Sequence, residues 1–422
     1  MALGTRTLSR YAALGTPLAF VGLPIYVHLP KFYGDLQNMN LALLGVILLS
    51  IRLLDCIFDP VIGWLRDRYP SYRRLTLRFA LPLLVTGYAL LFHPPSMAGS
   101  GMLALWLSAS LVLVYISYSI LTIHYYASGV ELAEDAHQAT RVASYREAAM
   151  LVGVLLASIL PPLLSAQVGA NNSYHYLSLI FAILMLAGAF ITLRMPLYTE
   201  HQSRPTQAIR LSAFLTCLKA ARVRHILWVL LFNSIPTAIT GTLFFFFCQD
   251  VLNADETQAG LFLMIYFVAA AAAIPGWSRL ARRLGERQTL AIAMMLAIAT
   301  FLFALTLGAG DLTLFALICL LSGAAAGADA ALLPAMFAHA LKQDAPAQEG
   351  IGFGLWHFTS KLTLALAAGT VLPLLAIAGY QPGGDASITV LSLAYALIPC
   401  ILKLLAIVTL LLFHPDRKAQ RS

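Results

Sequence analysis

Long apolar stretches recur along the chain at 11–30, 40–64, 75–93, 101–127, 147–168, 174–195, 225–247, 257–278, 288–308, 312–337, 351–379 and 387–413, separated by short polar segments. A bilayer core about 30 Å thick takes about 20 residues of helix, so each stretch is long enough to cross it. Lipid offers no partner for a free backbone N–H or C=O. No stretch alternates apolar and polar positions as a barrel strand does, so all twelve are expected to be helices. The polar segment 196–224 is the one sizeable internal linker, and it divides the spans six and six. The expectation is an all-α membrane protein of twelve transmembrane helices, with an N-terminal bundle over 1–195 and a C-terminal bundle over 225–422.

Composition agrees. The 422 residues are 60% apolar and 11% charged, against about 45–50% and about 25% for soluble domains. The net charge of +8 invites a nucleic-acid reading until the charges are placed. If both termini are cytoplasmic, 23 of the 27 Lys and Arg fall on cytoplasmic segments, Lys31 alone falls outside, and Arg52, Lys361 and Lys403 fall within spans. That asymmetry is a positive-inside signal for a multi-pass protein of the cell membrane, inner or plasma, with both ends inside. It accounts for the basic charge as topology and contact with anionic lipid, so no nucleic-acid partner is expected. Arg6 and Arg10 precede a stretch too long for a cleavable signal, so the first span is expected to be retained. The five cysteines include no CxxC pair and suggest neither disulfides nor a zinc site.

The halves resemble one another. Gly63-Trp64-Leu65-Arg66 answers Gly276-Trp277-Ser278-Arg279 at a shift of 213, Asp35 answers Asp250 at 215, and Leu160-Pro161 answers Leu372-Pro373 at 212. Three landmarks at nearly one offset point to a duplicated six-helix unit and hence to two pseudo-symmetric bundles.

Charges inside spans carry the chemistry, because placing one at the bilayer centre costs about 2.5–3.5 kcal/mol on insertion scales. In span two Arg52, Asp55 and Asp59 stand at i, i+3 and i+7, on one helical face. Asp55 lies about 16 Å from the cytoplasmic end at 1.5 Å per residue, near the midplane. Two carboxylates and one guanidinium leave one negative charge, which suits Na⁺ or, through a raised carboxyl pKa, H⁺. Pro60 cannot donate to the Cys56 carbonyl, which adds a candidate oxygen. The competing reading is a locked ion pair that orients helices. Lys361 in span eleven, one turn beyond His357, is the natural counter-charge; its alternative is a snorkelling lysine. Lys403 fits snorkelling better, and Asp329 sits in the small-residue run Gly323–Ala328, where helices approach closely. Candidate substrate-lining groups are Tyr118, Thr122 and Tyr125 on span four, with Tyr115 on the same stripe, and Asn233 and Thr237 on span seven. Rings with hydroxyl edges suit sugars, and a packed core explains them equally well.

No GxxxxGK[ST] phosphate loop, HExxH, GxSxG or Cys/His metal cluster is present. Neither ATP use by this chain nor an enzyme activity is therefore expected. No cofactor is expected beyond Na⁺ or H⁺ as coupling ion, and no metal beyond a Na⁺ at Asp55 and Asp59.

The stretch Arg52 to Arg68, with Arg52, Asp55, Asp59-Pro60, Gly63 and Asp67-Arg68 in place, resembles the RxxDxxxDPxxGxxxDR signature of the glycoside-pentoside-hexuronide:cation symporters. These are the melibiose-permease branch of the major facilitator superfamily. Leu29-Pro30 with Tyr33 and Asp35, Glu131-Leu132, Thr140-Arg141-Val142 with Ser144-Tyr145-Arg146, and Lys361-Leu362 extend the likeness along the chain. The resemblance implies two bundles and alternating access, a cation site at Asp55 and Asp59, and Lys361 close to that site. It further implies Arg146 at the sugar site, and Gly63, Asp67 and Arg68 as a cytoplasmic gate motif. Two features depart from the melibiose pattern. Span one reads Thr16-Pro17-Leu18-Ala19-Phe20 instead of carrying a lysine–aspartate pair, and span four has no acid before Glu131.

The reading is a monomeric cation-coupled symporter of a small solute, sugar or glycoside by family default, with Arg52 and Lys361 balancing the carboxylates and His357 near the substrate. A lipid or lysolipid transporter with the same coupling site is the first alternative. A non-transporting membrane enzyme or scaffold is the second.

Overall fold

The computed structural model describes residues 4–29, 32–33, 37, 39, 41–95, 99–195, 213–346, 348–378 and 388–412. Asp35, Lys31, residues 196–212 of the linker and the C-terminal Arg417, Lys418 and Arg421 lie outside them. Among the described residues the chain is helical. The helices are α1 (Thr5–Ala12), α2 (Gly15–Phe20), α3 (Leu41–Arg68), α4 (Arg73–Leu91), α5 (Ser100–Leu132), α6 (Ala136–Val168), α7 (Ala170–Leu193), α8 (Ala213–Lys219), α9 (Ala221–Phe246), α10 (Glu256–Leu284), α11 (Glu286–Phe303), α12 (Leu312–Asp344), α13 (Glu349–Ile377), α14 (Ile388–Ser392) and α15 (Ile398–Leu412). Nine of the described helices are long and apolar enough to cross a bilayer. The helices α3 and α13, of 28 and 29 residues, add about 42 and 44 Å of length at 1.5 Å per residue.

Three sequence expectations change in detail. The first apolar stretch is not one helix: α1 and α2 are followed by a π-helical turn, Pro24–His28. Pro17 and Pro24 lack the N–H that would reach the Ala13 and Phe20 carbonyls, and the run breaks beside those residues, at 13–14 and 21. The last stretch is likewise interrupted by a π-helical turn, Leu393–Leu397, which contains Tyr395, whose carbonyl has no i+4 donor because Pro399 lacks an N–H. Conversely α5, α6 and α12 each run 33 residues, well past the apolar cores that announced them. At about 50 Å they exceed the bilayer core and carry polar ends beyond it. The start of α6 is fixed by Asp135, whose side chain accepts from the Gln138 N–H at 2.7 Å.

The chain divides into two compact units, Met1–Leu215 with Pro346–Phe358, and Thr216–Ala345 with Thr359–Ser422. The division falls inside the expected linker, because α9 begins at Ala221, and α13 starts in the first unit and continues in the second. In the first unit α5 packs on α3 and α4, and α6 on α1, α2 and α7. In the second, α12 packs on α10 and α11, and α15 on α9 and α11. Gly323 and Gly327 of α12 lie directly on the carbonyls of Tyr266 and Ala270, so the small-residue run does permit the close helix approach its composition suggests.

Candidate functional site

The face of α3 that carries the two acids turns inward. Asp55 is 5% exposed and Asp59 1%, whereas Leu53, Ile57 and Val61 are 52%, 61% and 46% exposed. A helix of this hydropathy orients itself by the cost of carboxylates in lipid, and the apolar positions between them take the outer face. Asp55 and Asp59 are one turn apart, about 6 Å along the axis. The Ser119 hydroxyl of α5 donates to Asp55 Oδ1 at 3.3 Å. Gly354 of α13 lies against the Asp59 carbonyl and Pro60, so chain from a neighbouring helix shields the acid from the side. Arg52 is partly buried one turn before Asp55. Buried anionic oxygens with a hydroxyl alongside form a donor set for a hard monovalent cation or a proton. Lys361 is partly buried on the part of α13 that belongs to the second unit.

A second cluster forms around Arg146 of α6. Its guanidinium sits 3.7 Å over the ring of Tyr126 and pairs with Glu147 at 2.9 Å. The Tyr126 hydroxyl donates to the same Glu147 carboxylate at 3.2 Å. Phe353 and His357 of α13 meet the other side of Tyr126, with ring centroids 5.4 and 5.0 Å away. Arg146 and His357, chosen from the sequence separately, are thus joined through Tyr126. Glu147 and Phe353 are members that sequence reasoning missed.

The α5 stripe divides. Thr122 is buried and donates to the Tyr118 carbonyl at 2.9 Å, and Tyr125 is buried in a stack on Tyr11 with centroids 4.6 Å apart. Both pack the interior of the bundle, while Tyr118 is only partly buried.

Gly63 and Asp67, named with Arg68 as the gate motif, meet the first turn of α13. Asp67 accepts from the backbone N–H of Gly350 at 2.8 Å and of Ile351 at 2.7 Å, and so caps the first turn of α13. Arg66 pairs with Asp67 at 2.8 Å and with Glu131 at 2.5 Å, and Arg73 joins Glu131 at 2.7 Å. Arg73 also donates to Ser128. Arg68 lies over Trp64, 5.1 Å from the ring centroid. Gly63 touches the Gly350 backbone so closely that an added Cβ would overlap its carbonyl, whereas a Cβ at the repeat position Gly276 meets nothing. Overpacking of this kind costs about 1–3 kcal/mol. Gly63→Ala is therefore expected to slow transport by about tenfold, at 1.4 kcal/mol per factor of ten, with Gly276→Ala as the unaffected control. Equal uptake rates in the two variants would remove the argument.

In the second unit Asn233 is buried and Thr237 exposed. Thr237 lines a cavity of about 50 Å³ with Thr240, Tyr266, Ser322 and Lys403. That space holds a few waters, far less than a sugar ring. Lys403 does not snorkel: its Nζ meets Asp329 Oδ2 at 2.8 Å, and the side chains are 11% and 16% exposed.

The fold and its charged motif can be compared with known proteins. The sequence model of a family described as MFS/sugar transport protein matches residues 10–417. The chain belongs to that family. It is thus a multi-pass membrane protein of the major facilitator superfamily, a family of transporters and not of enzymes. An isoprimeverose transporter of Lactiplantibacillus pentosus is 25% identical over 65% of this chain, and the inner membrane symporter YicJ of Escherichia coli K12 is 24% identical over 58%. The matches span 58% and 54% of those two proteins. The solved Escherichia coli fucose:proton symporter superposes with a TM-score of 0.71 at 15% identity, covering 96% of this chain and 97% of that one, which establishes the shared fold.

Proposed function

We propose that this protein is a secondary active symporter, in which Asp55 and Asp59 bind a monovalent cation, Na⁺ or H⁺, and a small hydroxylated solute moves with it by alternating access. The observation that carries the reading is the pair of carboxylates, 5% and 1% exposed, one turn apart on a helix whose outer face is apolar. A bound cation, together with Arg52, would neutralise the pair and lower the cost of enclosing it as the two units move. Arg52, three residues from Asp55, and Lys361 would balance the acids when the cation is gone; heptad spacing puts Lys361 on the face of α13 that carries Gly354. The names of the relatives support a sugar or glycoside as the solute. The cluster of Arg146, Tyr126, Glu147 and His357 supplies the charged donors and aromatic faces that such a solute needs. The Thr16 hydroxyl is engaged by the Ala149 carbonyl at 2.9 Å, so span one offers little to grip a galactoside in the melibiose manner. The 23-to-1 distribution of basic residues supports a cell-membrane protein with both termini cytoplasmic.

The test is uptake of labelled pentosides, hexosides and lysolipids by vesicles holding the purified protein, under an imposed Na⁺ or H⁺ gradient. Accumulation of a glycoside under one gradient is expected. Accumulation of lysolipid alone would transfer the reading to lipid transport, and equal uptake without any gradient would leave facilitated diffusion. Ser119→Ala removes one hydrogen bond to Asp55, worth about 1 kcal/mol, and is expected to raise the half-saturating cation concentration by less than about tenfold. An unchanged value would place Ser119 outside the site.

A further inference from the structure

At the end of α4 remote from Arg73, two exposed imidazoles face each other across 82 residues of sequence: His175 Nδ1 is directed at His93 Nε2, with ring centroids 4.1 Å apart and planes at 49°. His93 Nδ1 lies 2.7 Å from the Ala89 carbonyl. A carbonyl only accepts, so Nδ1 carries the hydrogen of the neutral ring, and the lone pair of Nε2 points at His175. An imidazole held through its other nitrogen by a carbonyl is the arrangement that fixes tautomer and direction in metal-binding histidines.

The backbones beneath are fixed as well. Phe92 and Tyr174, the residues preceding the two histidines, are buried and stack face to face, with centroids 5.2 Å apart and planes at 2°. Phe32 closes on the edges of both rings, at 5.5 and 4.9 Å. The two imidazoles therefore stand on neighbouring positions of a packed aromatic floor, and they need little reorganisation to converge on one ion.

We propose that His93 and His175 form a binding site for a divalent first-row transition ion, of the class of Zn²⁺, Ni²⁺ and Cu²⁺, that clips the end of α4 to the start of α7. Tetrahedral coordination at about 2.0–2.1 Å per nitrogen separates the two donors by about 3.3 Å, and both side chains are exposed and free to open to that spacing. Among the described residues no group of three or more His, Cys, Asp or Glu could hold a metal ion, so the proposed site rests on the two imidazoles. Imidazole donors select these ions over Mg²⁺ and Ca²⁺, with Cu²⁺ bound most tightly.

The experiment uses the full chain without a polyhistidine tag, in detergent, titrated calorimetrically with Ni²⁺, Zn²⁺, Cu²⁺ and Mg²⁺. One ion per chain is expected for the first three and none for Mg²⁺, with a rise in apparent unfolding temperature on loading. His93→Gln and His175→Gln each weaken Ni²⁺ binding at least about tenfold, the loss of one ligand being worth more than about 1.4 kcal/mol. His339→Gln, in the other unit, leaves it unchanged. The Cu²⁺ form shows two coupled imidazole nitrogens by electron paramagnetic resonance, reduced to one in either single variant. Wild-type affinity in the His93→Gln/His175→Gln double variant, or no Ni²⁺, Zn²⁺ or Cu²⁺ binding by the unaltered chain, overturns the proposal. Because solute uptake does not enter the readout, the site stands or falls independently of the symport reading.

Discussion

Asp55→Asn and Asp59→Asn are each expected to abolish accumulation of solute against its gradient while leaving exchange of solute across the vesicle membrane in place. A unit charge about 4 Å from a cation contributes about 4 kcal/mol at an effective dielectric of 20. Its loss lowers cation affinity on the order of 1,000-fold, at 1.4 kcal/mol per tenfold. With Asp55 5% and Asp59 1% exposed, little water replaces the missing charge. An amide keeps size and a carbonyl oxygen, so packing against Gly354 and the Ser119 hydrogen bond survive, and a failure of folding is not the expected cause. The measurement pairs gradient-driven uptake with counterflow at equal cation on both sides: the first falls to background and the second persists. Either variant accumulating at the wild-type level would show that its carboxylate does not couple transport to the cation.

Much of this site is legible because lipid is an unforgiving solvent. A run as apolar as 40–64 tolerates Asp55 and Asp59 only on a sheltered face, so sequence spacing and insertion cost single them out. Around the gate motif helix geometry favours Arg66 where the family resemblance names Arg68. Arg68 is nine residues from Asp59, half a turn away in angle at 100° per residue, whereas Arg66 at seven residues returns to the acid's own face. The structure accordingly brings Arg66 to Asp67 and Glu131 and leaves Arg68 on Trp64. The α5 stripe shows the limit of periodicity. It says that Tyr118, Thr122 and Tyr125 share a side, not whether that side meets another helix or a solute, and the stacking of Tyr125 on Tyr11 depends on a partner 114 residues away. Glu147 is not legible in the sequence because an acid beside Arg146 looks like a surface pair; Tyr126, held between Arg146 and His357, is what makes it part of a cluster.

Lys403→Gln is expected to destabilise the protein strongly, and Asp329→Asn to follow it closely. The two side chains are 11% and 16% exposed and meet at 2.8 Å. Removing one member of a buried pair strands the other charge, at a cost of about 3–5 kcal/mol. Replacing both restores neutrality, and such double changes are often neutral or stabilising. The helices bearing the pair lie close to others: Gly323 and Gly327 put α12 directly on α10, so no slack exists for a stranded carboxylate to reach water by tilting. The cavity beside Lys403 gives its ammonium a few waters. Asp329→Asn should therefore cost somewhat less than Lys403→Gln, which strands a carboxylate that does not line that cavity. Apparent unfolding temperature, read in one detergent at one scan rate, should fall by several degrees in each single variant and recover in Asp329→Asn/Lys403→Gln. Additive losses in the double variant would mean that each residue contributes through its own packing, and that the ion pair between them contributes nothing.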